Sequence, residues 1–191
     1  VMALALTGCR IFTGEAFLED HAVVIEGGRI HAVIPAGDVA AAERRDLGGG
    51  LLAPGFIDVQ VNGGGGALLN EDPSVDTVRT IAQSHRRFGT VGLLPTVITD
   101  APRIISAAVR SVAEAMALGV PGVLGIHIEG PFLDVARKGA HAARFIREMD
   151  LTDVEEIAGF AAQLPVMLTL APNRVPPQRH PVGGQRQHHR Q

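Results

Sequence analysis

From Phe56 onward the chain alternates short β-rich runs with stretches of helical periodicity, an order that narrows the fold class sharply. Phe56-Ile57-Asp58-Val59-Gln60-Val61-Asn62 reads as a strand, followed by four glycines, Gly63 to Gly66. The spacing of Val75, Val78, Ile81 and Ala82 predicts a helix with Pro73 in its first turn and Gly89 as its stop. Thr90 to Ile98 is a second strand. Asp100 is expected as N-cap of a second helix, which turns Ile104, Ile105, Ala108, Val109, Val112 and Met116 inward and ends at Gly119. Val123 to Glu129 is the third strand and Val166 to Leu170 the fourth. Between them Thr152-Asp153-Val154-Glu155 has the form of a capping box opening a third helix. This alternation gives parallel strands joined by crossover helices. A barrel and a doubly wound sheet both satisfy it. Four such units are too few to close an eight-stranded barrel, which takes about 250 residues.

The first 50 residues follow a different rule. Leu4 to Leu6, Ala22 to Ile25 and Ile30 to Ile34 are β-rich, and Glu26-Gly27-Gly28-Arg29 reads as a hairpin turn. The expectation is a small β portion over residues 1–50, with Gly48-Gly49-Gly50 as a flexible joint and the α/β portion over 51–172. Residues 173–191 break the pattern again. They hold four arginines, no acid, and the runs Pro176-Pro177, Gly183-Gly184 and His188-His189, a composition that cannot pack a core. A disordered tail is expected there.

Composition excludes several classes of function. The 191 residues carry a net charge of −3, which argues against nucleic acid as a partner. Trp and Tyr are absent, so the core is made of Ala, Val, Leu and Ile. One cysteine, Cys9, excludes an internal disulfide and suits a reducing cytoplasm. The apolar opening lacks the basic flank of a signal peptide, and no run is long enough to span a membrane. A cytoplasmic location without membrane contact is the expectation.

Candidate chemistry gathers at the ends of strands. Leu124-Gly125-Ile126-His127-Ile128-Glu129-Gly130-Pro131 is an apolar strand ending in a carboxylate and stopped by Gly-Pro. Alternation puts His127 and Glu129 on one face, where they could form two ligands of a metal site or simply cap the turn that follows. Gln60 and Asn62 share a face at the end of the first strand, where α/β proteins place their sites; amides there hold water or substrate better than metal. His141 lies in a loop leaving the same strand end as Glu129, and is either a third ligand, a hydrogen-bond donor or a solvated loop residue. His21, His31 and His85 read as structural. The glycines after Asn62 lack the lysine of a Walker loop and open no helix directly, so they serve close backbone approach better than phosphate binding.

Ala53-Pro54-Gly55-Phe56-Ile57-Asp58 is similar to the entry strand of the amidohydrolase superfamily. With Val59-Gln60-Val61-Asn62-Gly63, Leu94-Pro95-Thr96, His127-Ile128-Glu129-Gly130-Pro131-Phe132, Lys138-Gly139-Ala140-His141 and Leu170-Ala171-Pro172, the chain resembles the N-acetylglucosamine-6-phosphate deacetylase family from residue 1 to about 172. The resemblance implies a (β/α)₈ TIM-type barrel, present here as about four βα units, joined to a β-sandwich that both chain ends help build. It implies hydrolysis of the acetamide of an amino-sugar phosphate to the free amine and acetate, in a protein that is typically a homo-oligomer. Gln60 and Asn62 stand where most of the superfamily has His-x-His, which implies one divalent metal, zinc or iron, with both amides as candidates for its bound water or surroundings. Glu129 matches the metal-binding glutamate. Ala140 and His141 match a substrate-binding pair, the histidine helping to polarise the amide carbonyl. His127 matches no ligand role.

The family's two histidine metal ligands, its catalytic aspartate and its sugar-phosphate contacts have no matching positions in these residues. The pattern departs at Asn173, where a glutamate would follow Leu-Ala-Pro. The expectation is an N-terminal part ending in an unrelated tail, such as a frameshift or early stop yields, with little or no turnover of its own. Two alternatives stand beside it: a non-catalytic half-barrel that acts only by associating with a complementary C-terminal half, and another amidohydrolase such as a cyclic-imide hydrolase.

Overall fold

The structure, a computed structural model, describes residues 3–40 and 43–175. The chain divides into two units, Val1–Gly55 and Phe56–Gln191.

The first unit is built from two small sheets. β1 (Leu4–Thr7), β2 (Arg10–Phe12), β3 (Phe17–Leu18), β4 (His21–Glu26) and β5 (Arg29–Pro35) come first, then β6 (Glu43–Asp46) and β7 (Leu51–Leu52). One sheet runs β5-β4-β1-β6 and the other β3-β2-β7. Glu26 pairs with Arg29 across Gly27 and Gly28, both at positive φ, the backbone that a two-residue hairpin turn requires. The expected hairpin is therefore present. Sequence patterning missed β2, β3, β6 and β7, since strands of two to four residues such as Glu-Arg-Arg-Asp show no apolar alternation. β7 pairs with Arg10 and Ile11, so the glycines before it lie inside this unit rather than at its boundary. Leu6, Ile11, Val23, Val33 and Leu52 line a common cavity of about 370 Å³.

The second unit is a parallel α/β layer. β8 (Phe56–Val61), α1 (Val75–Arg86), β9 (Thr90–Ile98), α2 (Pro102–Ala117), β10 (Ile126–Glu129), α3 (Leu151–Ala161) and β11 (Val166–Thr169) follow in order. All three strand pairings are parallel, and the sheet order β8-β9-β10-β11 is the chain order. Val78 and Ile81 of α1, Val109 and Val112 of α2, and Val61, Val97, Ile126 and Ile128 of the strands form one buried cluster, with Phe160 of α3 packed against it. Burying each such side chain contributes roughly 1.5–3 kcal/mol. No described helix is long and apolar enough to cross a membrane.

Helix starts differ from the expected ones in detail. Ser74 caps α1 by accepting from the Thr77 amide, so Pro73 precedes the helix instead of opening it. Ala101 is the N-cap of α2 and Pro102 its first residue; Asp100 instead accepts from Asn70. The capping box of α3 is Asp150 with Asp153, two residues earlier than Thr152-Glu155. Asp satisfies a backbone amide as well as Thr does, and Asp153 also takes both terminal nitrogens of Arg147, which fixes the register. The chain stays packed through Val175: Met149 donates to the Arg174 carbonyl at 2.8 Å, and Asn173 to Asp134 at 2.9 Å. The rest of the expected tail, 176–191, lies outside the described residues.

Candidate active site

Parallel strands present their C-terminal ends on one edge of the sheet, and that edge carries the polar side chains the sequence singled out. A cleft of about 490 Å³ is lined there by Gln60, Asn62, Leu68, Ile98, Glu129 and the loop Arg137 to His141, Ala140 included. Gln60 and Asn62 arrive from the end of β8, Glu129 from the end of β10, and His141 from the loop that leaves β10. That loop contains two 3-10 turns, Val135–Arg137 and Ala143–Phe145.

His141 and Glu129 meet across the cleft. The imidazole Nε2 lies 3.6 Å from Glu129 Oε1, and both side chains are largely buried. The other ring nitrogen, Nδ1, is 2.8 Å from the hydroxyl of Thr99. Thr99 donates in turn to the backbone carbonyl of Glu129, at 3.2 Å. Thr99 follows the last residue of β9. Its place is fixed by Asn70, whose amide brackets Ile98: Asn70 Oδ1 accepts from the Ile98 amide at 2.9 Å, and its Nδ2 donates to the Ile98 carbonyl and to Asp100.

His127 is not part of this group. It is fully buried, and both ring nitrogens are engaged, Nδ1 with Thr96 at 3.1 Å and Nε2 with Thr169 at 2.8 Å. Burial pushes its pKa below the ordinary imidazole value, against the opposing pull of Glu129, so the ring is neutral near pH 7. With no free lone pair it cannot join Glu129 as a metal ligand, which overturns the pairing that strand alternation suggested. The ring is a crosslink between β9, β10 and β11.

The glycines after Asn62 serve packing. A side chain at Gly64 would overlap Ser84 and His85 of α1, and His85 Nε2 contacts the Gly63 carbonyl at 2.9 Å. His85 is thus structural, as expected. Thr99 and Asn70 were missed by sequence reasoning; the only signal for Thr99 was a polar residue directly after an apolar strand.

The site offers one carboxylate, one imidazole and two amides. Among the described residues no group of three or more His, Cys, Asp or Glu side chains is placed to hold a metal ion. Glu129 suits a hard or borderline divalent cation as one ligand, and the ordinary zinc or iron coordination number requires donors from outside these residues.

The family model described as the NagA composite domain matches residues 4–52. The chain is 40% identical over 180 residues to N-acetylgalactosamine-6-phosphate deacetylase of a Shewanella species, covering 92% of this chain and 45% of that protein. It is 39% identical over 149 residues to N-acetylglucosamine-6-phosphate deacetylase of Haemophilus influenzae, covering 78% of this chain and 39% of that one. The crystal structure of N-acetylglucosamine-6-phosphate deacetylase from Pasteurella multocida superposes with a TM-score of 0.84 at 33% identity, over 91% of this chain and 46% of that chain. The chain thus spans less than half the length of these relatives.

Proposed function

We propose, from the premise that this chain is similar in sequence and fold to the N-terminal part of the N-acetylglucosamine-6-phosphate deacetylases of the amidohydrolase superfamily, that it carries one side of a metal-dependent deacetylase site for an N-acetylated amino-sugar 6-phosphate. The observation that carries this reading is the cleft where Gln60, Asn62, Glu129, Ala140 and His141 converge at the strand ends. An unbroken strand order, with all helices drawn onto one core, supports about four units of a (β/α)₈ barrel over a doubly wound sheet, where strand order reverses. The first unit is read as part of the β-sandwich that accompanies such barrels.

In this reading Glu129 is a ligand of one divalent ion, zinc or iron, which when bound polarises the acetyl carbonyl and lowers the pKa of a water. His141 faces the cleft through Nε2, where it would meet that carbonyl, and Ala140 beside it would border the sugar. Gln60 and Asn62 supply amide donors and acceptors able to orient a water. The remaining metal ligands, the proton-transferring carboxylate and the phosphate contacts come from sequence outside the described residues. The 191-residue chain alone is therefore expected to turn over little or no substrate.

The test mixes this chain with a separately expressed C-terminal half of a close relative and measures acetate release from both N-acetylglucosamine 6-phosphate and its galactosamine epimer. The two epimers are both needed, because relatives of each name match this chain. Metal-dependent release only from the mixture is the expected result. Release by the chain alone would overturn the assignment of the missing groups, and no release from either sugar, by the mixture or by a full-length protein carrying this sequence, would overturn the function.

A further inference from the structure

We infer that Thr99 is a positioning residue for this site: its hydroxyl ties the substrate-facing imidazole of His141 to the backbone of the ligand residue Glu129 and holds the ring with Nε2 in the cleft. This deepens the proposed deacetylase function and rests on it for its kinetic consequence, though not for its geometry.

The argument is one of donors and acceptors. Thr99 is buried, with 3% of its surface exposed. A hydroxyl has one proton to give, and the Glu129 carbonyl can only accept, so at 3.2 Å Thr99 is the donor there. The same oxygen lies 2.8 Å from His141 Nδ1, so one hydroxyl bridges the ring and the backbone of Glu129. Nε2 is thereby turned toward the cleft and stands 3.6 Å from Glu129 Oε1. Two further features keep the hydroxyl where it is. Asn70 fastens the backbone of Ile98, the residue before Thr99, through both its amide and its carbonyl. Gly130 leaves the space the hydroxyl occupies, since a Cβ there would overlap Thr99 Oγ1.

A valine in place of Thr99 has nearly the same shape and lacks the hydroxyl. In a protein active in the assay above, Thr99→Val is expected to lower kcat about 10- to 100-fold with KM changed less than about threefold, because a misdirected catalytic group costs rate before it costs binding. Thr99→Ser, which keeps the oxygen, is expected to restore most of the rate. The ring itself is read without any activity, by selective ¹⁵N labelling of histidine with His141 identified through a His141→Asn control. Wild-type protein is expected to show a hydrogen-bonded Nδ1, and Thr99→Val to lose that signature. An Nδ1 without a hydrogen bond in wild type, an unchanged ring spectrum in Thr99→Val, or an undiminished kcat would each overturn the inference. Should Thr99→Val fail to fold, the wild-type spectrum and the serine variant still decide it. Absence of deacetylation in wild type counts against the proposed function alone, and the ring spectrum then judges Thr99 by itself.

Discussion

Glu129 Oε1 and His141 Nε2 lie 3.6 Å apart, although one ends a buried strand and the other sits on the far side of a looping segment. In the proposed reading that carboxylate binds metal and carries little of the fold. Glu129→Gln is therefore expected to leave the unfolding midpoint nearly unchanged while cutting metal content and activity of the assembled enzyme by about 100-fold or more. Metal analysis after dialysis, with acetate release on the same samples, checks it. Retention of both would remove Glu129 from the ligand set.

His127 makes the opposite prediction. Its ring is fully buried between Thr96 and Thr169, so His127→Leu strands two hydroxyls and disturbs a packed layer. A loss of about 2–4 kcal/mol in stability is expected, by chemical denaturation, from the unpartnered polar groups and imperfect packing. Metal uptake per folded molecule should not change. The contrast between these two neighbours separates a ligand from a crosslink more cleanly than either variant alone.

Gly130 stands at φ +84°, where a side chain is strained, and its missing Cβ makes room for the Thr99 hydroxyl. Gly130→Ala is expected to destabilise the protein by roughly 2 kcal/mol. It should also reduce activity in the assembled enzyme, because Thr99 has to move. Thermal unfolding followed alongside kcat would show both; an alanine variant with wild-type stability would mean the turn relaxes freely.

The acid limb of stability has a specific source in the second unit. Arg147, hydrogen-bonded to Asp153, holds that carboxyl below its ordinary range against the opposing effect of burial, and the hydrogen bond from the Asp150 amide lowers it more weakly. A carboxylate with a depressed folded pKa contributes fully above the unfolded value of about 3.9, and that contribution is lost as pH falls through the lower, folded value. Asp153→Asn should thus flatten the fall in stability below about pH 4 and lower stability near neutrality by about 1–2 kcal/mol, allowing for the part-exposed guanidinium. Urea titrations at a series of pH values test this. An unchanged acid slope would place the titrating groups elsewhere.

How much of this was written plainly in the residues depends on length scale. The apolar periodicities of α1 and α2 and the nine-residue run of β9 were legible because burial on one face leaves a long repeating signal. The two-residue strands β3 and β7 were not, since pairing that short is decided by partners far along the chain. The cleft residues Gln60, Asn62 and Glu129 were singled out by their positions at strand ends and His141 by the loop leaving one, while Ala140 came through motif resemblance alone. Alternation placed His127 correctly on the same face as Glu129, yet it could not reveal that threonines on two adjacent strands had already claimed both ring nitrogens. Thr99 and Asn70 lay below detection for the same reason: their importance is in whom they bond, and those partners are 28 to 42 residues away.

Asn70 belongs to the segment between β8 and α1, yet it holds the exit of β9 by three hydrogen bonds. Two connections that would otherwise fluctuate separately are thereby coupled into one opening event. Deuterium should reach the Ile98 amide only when that event occurs, and replacing Asn70 by alanine should speed exchange there and loosen the imidazole of His141 together, through a residue that touches neither metal nor sugar.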